Sequence, residues 1–325
     1  MNPFARAPLG RTGVEVTRLG LGLAPIAGLY RAVSELTAAA TVDAAWQHGI
    51  RYYDTAPLYG GGVSERRGGA ALARHERDEF VISTKVGRLL RPGVVADPDI
   101  WAEPLPETPV FDYSGAGVRT SHAESLDRLG LSRVDILHIH DPDQHYAEAV
   151  TEALPELVAM RKEGTIGAVS AGMNQSAMLT EFARTGEFDC FLLAGRYTLL
   201  DQSGLADLLP ECAARGISVI VGGVYNSGIL ADPHDRATYD YWPATPQRLA
   251  QARAIQAVCA RYDVPLRAAA LQFPFGHPAV ASVVIGMRSP AEVADAVAMA
   301  SLDIPPHLWR DLVAEGLLDA EVPVP

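Results

Sequence analysis

The chain has 325 residues, 48% of them hydrophobic, enough apolar material for one large core. Its 27 Lys and Arg against 39 Asp and Glu give a formal net charge of −12 with no block of like charge. Binding along a nucleic acid needs a basic stripe, so that partner class is excluded, while a local pocket for one phosphate is not.

In chain order, Pro8–Val16 reads as a short hairpin ahead of a first strand at Arg18–Gly22. Short apolar, β-branched runs then alternate with amphipathic stretches. A helix over Ser34–His48 leads to a strand at Ile50–Asp54, Ser64–Ala73 to Phe80–Lys85, Gly117–Leu129 to Val134–His140, and Tyr146–Glu163 to Ile166–Ser170. Gln175–Arg184 then leads to Cys190–Ala194, Leu205–Arg215 to Ser218–Val221, and Pro246–Tyr262 to Val280–Ile285, with a last barrel helix at Pro290–Ser301. Gly49, Gly130, Gly164 and Gly216 follow helical patterns where a left-handed stop is wanted, and Ser289-Pro290-Ala291-Glu292 is a capping box with proline at its first helical position.

Eight such units predict an α/β fold of the (β/α)8 TIM barrel type, as a single domain over residues 1–325. The surplus falls in the N-terminal hairpin, placed to plug the barrel bottom, and in two long rim loops. The first loop, Gly87–Gly115, carries Pro92, Pro98, Pro104, Pro106 and Pro109; the second is Tyr225–Pro243, and a terminal helix is expected near Leu308–Leu317. Loops of that length in compact domains usually serve a site. A Rossmann fold is the rival, but Gly20-Leu21-Gly22-Leu23-Ala24-Pro25 puts proline where the third glycine of its fingerprint belongs. Cys190, Cys212 and Cys259 show neither CxxC nor Cys/His spacing, which argues against disulfides and a metal site and fits a reducing cytoplasm. No secretory h-region opens the sequence and no apolar run reaches about 18 residues, so no membrane association is expected.

Barrel active sites gather at the C-terminal strand ends. There the sequence offers Asp54, with Tyr59 five residues on, then Lys85 and His140. Singly each is an ordinary rim residue; adjacent strands bring an acid, a phenol, an amine and an imidazole to one place. His138 shares the face of His140 and reads as a packed interior histidine.

These residues resemble the catalytic tetrad of the aldo-keto reductase superfamily. So do Leu9-Gly10-Arg11-Thr12-Gly13, Asp54-Thr55-Ala56 through Tyr59-Gly60 with Ser64-Glu65, Ser125-Leu126 with Arg128-Leu129-Gly130, and Asp135 to His140. His140-Asp141-Pro142-Asp143, Arg196-Tyr197-Thr198-Leu199-Leu200-Asp201, Tyr225 to Leu230 and Tyr239-Asp240-Tyr241 look like the branch with aldose 1-dehydrogenases, L-fucose dehydrogenases and pyridoxal 4-dehydrogenases. The resemblance implies that Tyr59 is the acid/base, Lys85 its partner, Asp54 the carboxylate holding Lys85, and His140 the group orienting the substrate oxygen. An ammonium at ~4 Å and an effective dielectric of ~20 favours a phenolate by about 4 kcal/mol, so a lowered Tyr59 pKa is expected, with Asp54 reducing the effect.

It also implies an NAD or NADP site, NAD being placed ahead of NADP. Gly286, Met287, Arg288, Ser289 and Glu292 would meet the adenosine end, where helix N-terminal amides bind phosphate. Tyr225, Ser227, Gly228 and Leu230 would meet the pyrophosphate, and Ser170 or Asn174 the nicotinamide. Two positions depart from the family pattern: Ala194 stands for its usual glutamine and Ala296 for its adenine-binding asparagine. Trp101, with Tyr59 and His140, is the expected substrate contact. The expected activity is NAD(P)-dependent oxidation of the anomeric carbon of a cyclic hemiacetal, an aldose or pyridoxal, to a lactone. Reduction of aldehydes or ketones by NADPH and a non-catalytic, nucleotide-binding, redox-sensing subunit are the alternatives; a homo-oligomer is compatible with the sequence.

Overall fold

The computed structural model describes residues 2–95 and 100–325, so Pro98 of the first rim loop lies outside the described residues. Parallel strands close on themselves in chain order: β1 (Leu19–Gly22), β2 (Tyr52–Asp54), β3 (Val81–Val86), β4 (Ile136–His140), β5 (Ala168–Met173), β6 (Cys190–Ala194), β7 (Ser218–Gly222) and β8 (Val280–Gly286), which pairs back onto β1. The fold is the expected (β/α)8 barrel. The main strand difference is β5, which runs past Ser170 to Met173.

Strand side chains alternate between two faces. Outward, Tyr53, Ile82, Leu137, Val169, Leu193 and Val221 join the core beneath the helices. Inward, Tyr52, Ile136, Ala168, Cys190 and Ile220 meet Ala7, Leu9 and Val16 of the N-terminal hairpin, whose strands are Arg6–Pro8 and Glu15–Thr17. The hairpin therefore plugs the bottom. Above that floor, β4 and β5 present the inward rows His138 beside Ser170 and His140 beside Gly172.

Covering the barrel are α1 (Glu35–Gln47), α2 (Val63–Leu72), α3 (Gly115–Leu129), α4 (Leu154–Lys162), α5 (Ala177–Thr185), α6 (Leu208–Arg215), α7 (Pro246–Ala260), α8 (Leu266–Gln272) and α9 (Pro290–Ser301), with α10 (Pro306–Ala314) beyond. Side chains of Ser34, Ser114, Thr245 and Ser289 cap N-termini by accepting a backbone N–H three residues on. The helix expected over Tyr146–Glu163 is interrupted by a π-helical turn at Ala149–Ala153. Pro155 in the first turn of α4 brings no N–H, so an irregular ladder forms just before it. Nothing in the periodicity announced α8: Leu266 and Ala268 through Gln272 are all buried, so a helix of seven residues offers no amphipathic stripe.

Both rim loops contain paired strands among their described residues. Arg88–Pro92 pairs antiparallel with Glu107–Phe111 as a ribbon, and beyond it Trp101 bridges to Leu29. In the second loop Thr238–Tyr239 pairs with Trp242–Pro243. No helix among the described residues is long and apolar enough to cross a membrane.

Candidate active site

The ends of β2, β3 and β4 set the site. Asp54 pairs in register with Ser83, and Lys85, two residues on, with His138, so Asp54, Lys85 and His140 point inward at neighbouring heights. All three are buried. Lys85 Nζ donates to Asp54 Oδ2 at 2.8 Å, Asp54 Oδ1 at 3.0 Å and the Thr55 carbonyl at 2.8 Å. Ser83 donates its hydroxyl to Asp54 Oδ1 at 2.7 Å. A buried ion pair is tolerable only when its remaining protons and lone pairs are matched, and here they are.

Tyr59 arrives from the loop after β2. Gly60, Gly61 and Gly62 follow it with φ of +65°, +64° and +91°, turning the chain into α2 in a conformation that L side chains avoid. Lys85 Nζ lies 4.8 Å from the Tyr59 ring centre. The same ring lies 6.2 Å from the His140 ring at an interplanar angle of 88°, and 5.8 Å from Trp101. Of the four residues anticipated from the strand ends, Tyr59, Lys85 and His140 line one pocket, with Trp101 in its wall, and Asp54 stands behind Lys85 as its hydrogen-bond partner.

The expected lowering of the Tyr59 pKa is corrected by this geometry. Burial raises the phenol, Lys85 opposes that and Asp54 reinforces it, leaving Tyr59 at about 12. The sequence supplied the charges but not the dry wall around the hydroxyl, and desolvation of the phenolate outweighs one amine that a carboxylate already half neutralises. Lys85 itself is held above its ordinary value: burial pushes it down, and Asp54 with Tyr59 pulls it up by more. His140 falls well below its ordinary value through burial, then Arg88 and Lys85, so it is neutral at physiological pH. His138 drops to about 3, first through burial. It is neutral too, and its 3.6 Å approach to Asp54 is a contact rather than an ion pair. Its Nδ1 meets Ser170 Oγ at 2.7 Å.

The catalytic pocket has a volume of about 210 Å³ and adjoins a cavity of about 530 Å³; Leu29, Asn174, Ala194 and Tyr241 line both. Of the residues expected around a dinucleotide, Asn174, Tyr225, Ser227, Gly228, Gly286, Met287, Arg288 and Glu292 line the larger cavity. Two expectations are corrected. Ser170 sits one inward row below the rim against His138, because β5 runs on to Met173 and brings Asn174 to the top instead. Leu230 is fully buried in the outer core. Ser289 caps α9 as its capping box predicts, accepting from Glu292 N at 3.2 Å, and is not among the residues that line the cavity.

Sequence reasoning assigned no role to Tyr30, Arg196, Asp240, Tyr241, Arg267 and Asp295, which also line the cavity. The run Tyr239-Asp240-Tyr241 was the available signal. Asn226, Ser227, Asp240 and Tyr241 all have positive φ, a density of strain that marks functional loops. Asn226 is held there by accepting from Thr198 Oγ1 at 2.6 Å and donating to the Gly195 carbonyl at 3.2 Å.

A cavity of this size suits a cofactor. Its wall includes the first turn of α9 and Arg288, whose Nε is buried with no hydrogen-bond partner among the described residues, and also the four residues it shares with the catalytic pocket. Both cations of the α9 end are matched by acids. Arg267 binds Asp295 through two hydrogen bonds of 2.8 Å, and Arg288 donates its backbone N–H to Glu292 at 2.9 Å with its Nε 3.5 Å from the same carboxylate. A further concavity of about 700 Å³ lies at the barrel bottom among Arg11, Arg161 and Arg215, away from all of these groups.

Residues 18–314 match the sequence pattern of the aldo/keto reductase family. A D-threo-aldose 1-dehydrogenase from a Pseudomonas species is 42% identical over 316 residues, covering 94% of this chain and 96% of that protein. A pyridoxal 4-dehydrogenase from Microbacterium luteolum is 40% identical over 332 residues, covering 95% and 97%. Among solved structures, an aldo-keto reductase from Bacillus halodurans has a TM-score of 0.79 over 98% of each chain at 23% identity, a likeness of fold.

Proposed function

The chain belongs to the aldo/keto reductase family and is an oxidoreductase, and we propose that it oxidises the anomeric carbon of a cyclic hemiacetal, an aldose such as L-fucose or else pyridoxal, to a lactone with NAD. The observation that carries this reading is the convergence of Tyr59, Lys85 and His140 on one pocket, with Asp54 bonded to Lys85, beside a cofactor-sized cavity that shares its wall. The names of the two relatives above support the hemiacetal.

In this reading the substrate hydroxyl sits between the Tyr59 phenol oxygen and His140. Neutral His140 orients that oxygen without bringing a charge. Tyr59 as its phenolate, the form that rising pH populates, accepts the hydroxyl proton as the carbon gives up hydride, so one proton and one hydride leave the C–OH unit and a carbonyl remains. The bound nicotinamide supplies the hydride acceptor and, when oxidised, a positive charge. Lys85 opposes the protonated state of Tyr59, and Asp54 keeps Lys85 in place. Trp101, 5.8 Å from the Tyr59 ring, shields the pocket from water. At the α9 end, Glu292 and Asp295 would accept from a ribose hydroxyl and repel a 2′-phosphate, which supports NAD over NADP.

A second reading has one observation of its own. A phenol at about 12 is protonated at neutral pH, the form needed to reduce an aldehyde or ketone, so the same residues run in reverse with NADPH. An oxidoreductase leaves no place for the non-catalytic subunit. Initial rates of NAD⁺ and NADP⁺ reduction with L-fucose, D-arabinose, L-galactose and pyridoxal, set against NADPH oxidation with nitrobenzaldehyde, decide between the two. Tyr59→Phe is expected to lose roughly 10²- to 10⁴-fold in turnover. Turnover that survives this change would remove Tyr59 from the chemistry.

A further inference from the structure

Asp141 follows His140 at the end of β4 and lines the catalytic pocket with Tyr59, Lys85 and Trp101. Its φ is +42°, a conformation that aspartate tolerates but does not prefer. Three contacts hold it there. Its N–H donates to the Gly172 carbonyl at 3.1 Å, and the Tyr113 hydroxyl donates to the carbonyls of His140 at 2.6 Å and Asp141 at 3.1 Å. Arg88 donates from Nη2 to Asp141 Oδ2 at 3.3 Å. Arg88 and Tyr113 stand at the two roots of the rim ribbon, so one element fixes both the main chain and the carboxylate of a strained residue.

The carboxylate is aimed at the reaction. Asp141 Oδ2 lies 3.5 Å from His140 Nε2. The contact with Arg88 is a single bond of 3.3 Å rather than the two-pronged pair that an arginine and a carboxylate form when stability is all that matters. Among the described residues, Arg88 Nε is buried with no hydrogen-bond partner and Asp141 Oδ1 accepts no hydrogen bond. One carboxylate oxygen is therefore left for a donor in the pocket. In a sugar, the hydroxyl oxygen on the next carbon lies about one hydrogen-bond length, ~2.8 Å, from the reacting one.

We infer that Asp141 is a specificity-determining residue, whose carboxylate accepts a hydrogen bond from the hydroxyl on the carbon adjacent to the one oxidised. This rests on the hemiacetal reading above and narrows it. Neutral polyhydroxylated aldoses are selected, anionic sugars are repelled, and pyridoxal is disfavoured because the carbon next to its hemiacetal is an aromatic carbon without a hydroxyl.

The test compares D-arabinose with 2-deoxy-D-ribose, the same sugar without its C2 hydroxyl, by kcat/KM for NAD⁺ reduction. The wild type is expected to prefer D-arabinose by roughly 10- to 100-fold, the worth of one hydrogen bond to a charged group. Asp141→Asn keeps the left-handed backbone accessible and removes the charge; it should shrink that ratio at least fivefold, and Asp141→Ala should bring it within about threefold of unity. A wild-type ratio near one, or a ratio that both variants retain, overturns the role of Asp141 and leaves the hemiacetal reading standing. A wild type that oxidises neither sugar while reducing nitrobenzaldehyde overturns both.

Discussion

Asp54, Lys85 and Tyr59 form a chain of dependence in which each group alters the next. Burial raises the Tyr59 pKa most, Lys85 lowers it, and Asp54 adds to the rise. Lys85→Met should therefore move the alkaline rise of the oxidation rate to higher pH, and Asp54→Asn should move it to lower pH. The two variants also differ from neutral swaps in stability. Removing Lys85 leaves a buried carboxylate without its partner, a loss of about 3–5 kcal/mol, which Asp54→Asn in the same chain should partly restore. Kinetic pH profiles and denaturant midpoints of the single and double variants check both. Profiles that shift in the same direction in the two single variants would mean that Tyr59 is not the titrating group. The identities of these residues could be read from strand ends, since a period of two fixes which side chains face inward. Burial could not be read that way, because it depends on Trp101 and on packing that joins distant segments.

The rim ribbon is the element that sequence reasoning treated least well. Its prolines suggested a long loop, yet Pro92 and Pro109 are accommodated in a two-stranded ribbon with no third strand to satisfy. Gly87 marks its base: φ is +102°, and a Cβ there would come within 2.1 Å of the Tyr113 ring. Gly87→Ala should thus displace the tyrosine that clamps His140 and Asp141. A stability loss of about 1–3 kcal/mol is expected, together with a fall in kcat/KM. Gly130→Ala is the contrast. Its φ of +63° is also left-handed but nothing stands within 4 Å of the new Cβ, so it should cost about 1 kcal/mol and leave kinetics alone. Equal kinetic effects in the two variants would rule out the clamp. Elements with clear periodicity, such as α1 and α9, were legible nearly to the residue. Those that tertiary packing decides, α8 and the π-helical turn, were not.

Across the whole molecule, the interior of the barrel carries neutral histidines where an unfolded chain would carry protonated ones. His138, at about 3, and His140, well below its ordinary value, are both depressed. A depressed value means the folded form refuses protons that the unfolded form accepts below about pH 6.5. Stability from these groups is complete above that pH and is lost as pH falls from about 6.5 toward 3. Each such proton gives a slope of up to about 1.4 kcal/mol per pH unit, and the window down to about 3 is that of His138. Urea midpoints between pH 7 and 4 measure it, and His138→Asn should flatten the curve. A wild type with no slope would mean that the imidazoles accept protons inside the fold.

The pairing of β8 onto β1 brings together residues far apart along the chain: Val283 N–H donates to the Arg18 carbonyl at 2.8 Å and Arg18 to the Val280 carbonyl across 262 positions. A polypeptide emerging from the ribosome acquires Asp54 and Lys85 early, but the ring cannot shut until the eighth strand is made. Contacts of such sequence separation form slowly. During that interval the ammonium and its carboxylate stand in water, and the drying that tunes Tyr59 becomes one of the last events in maturation.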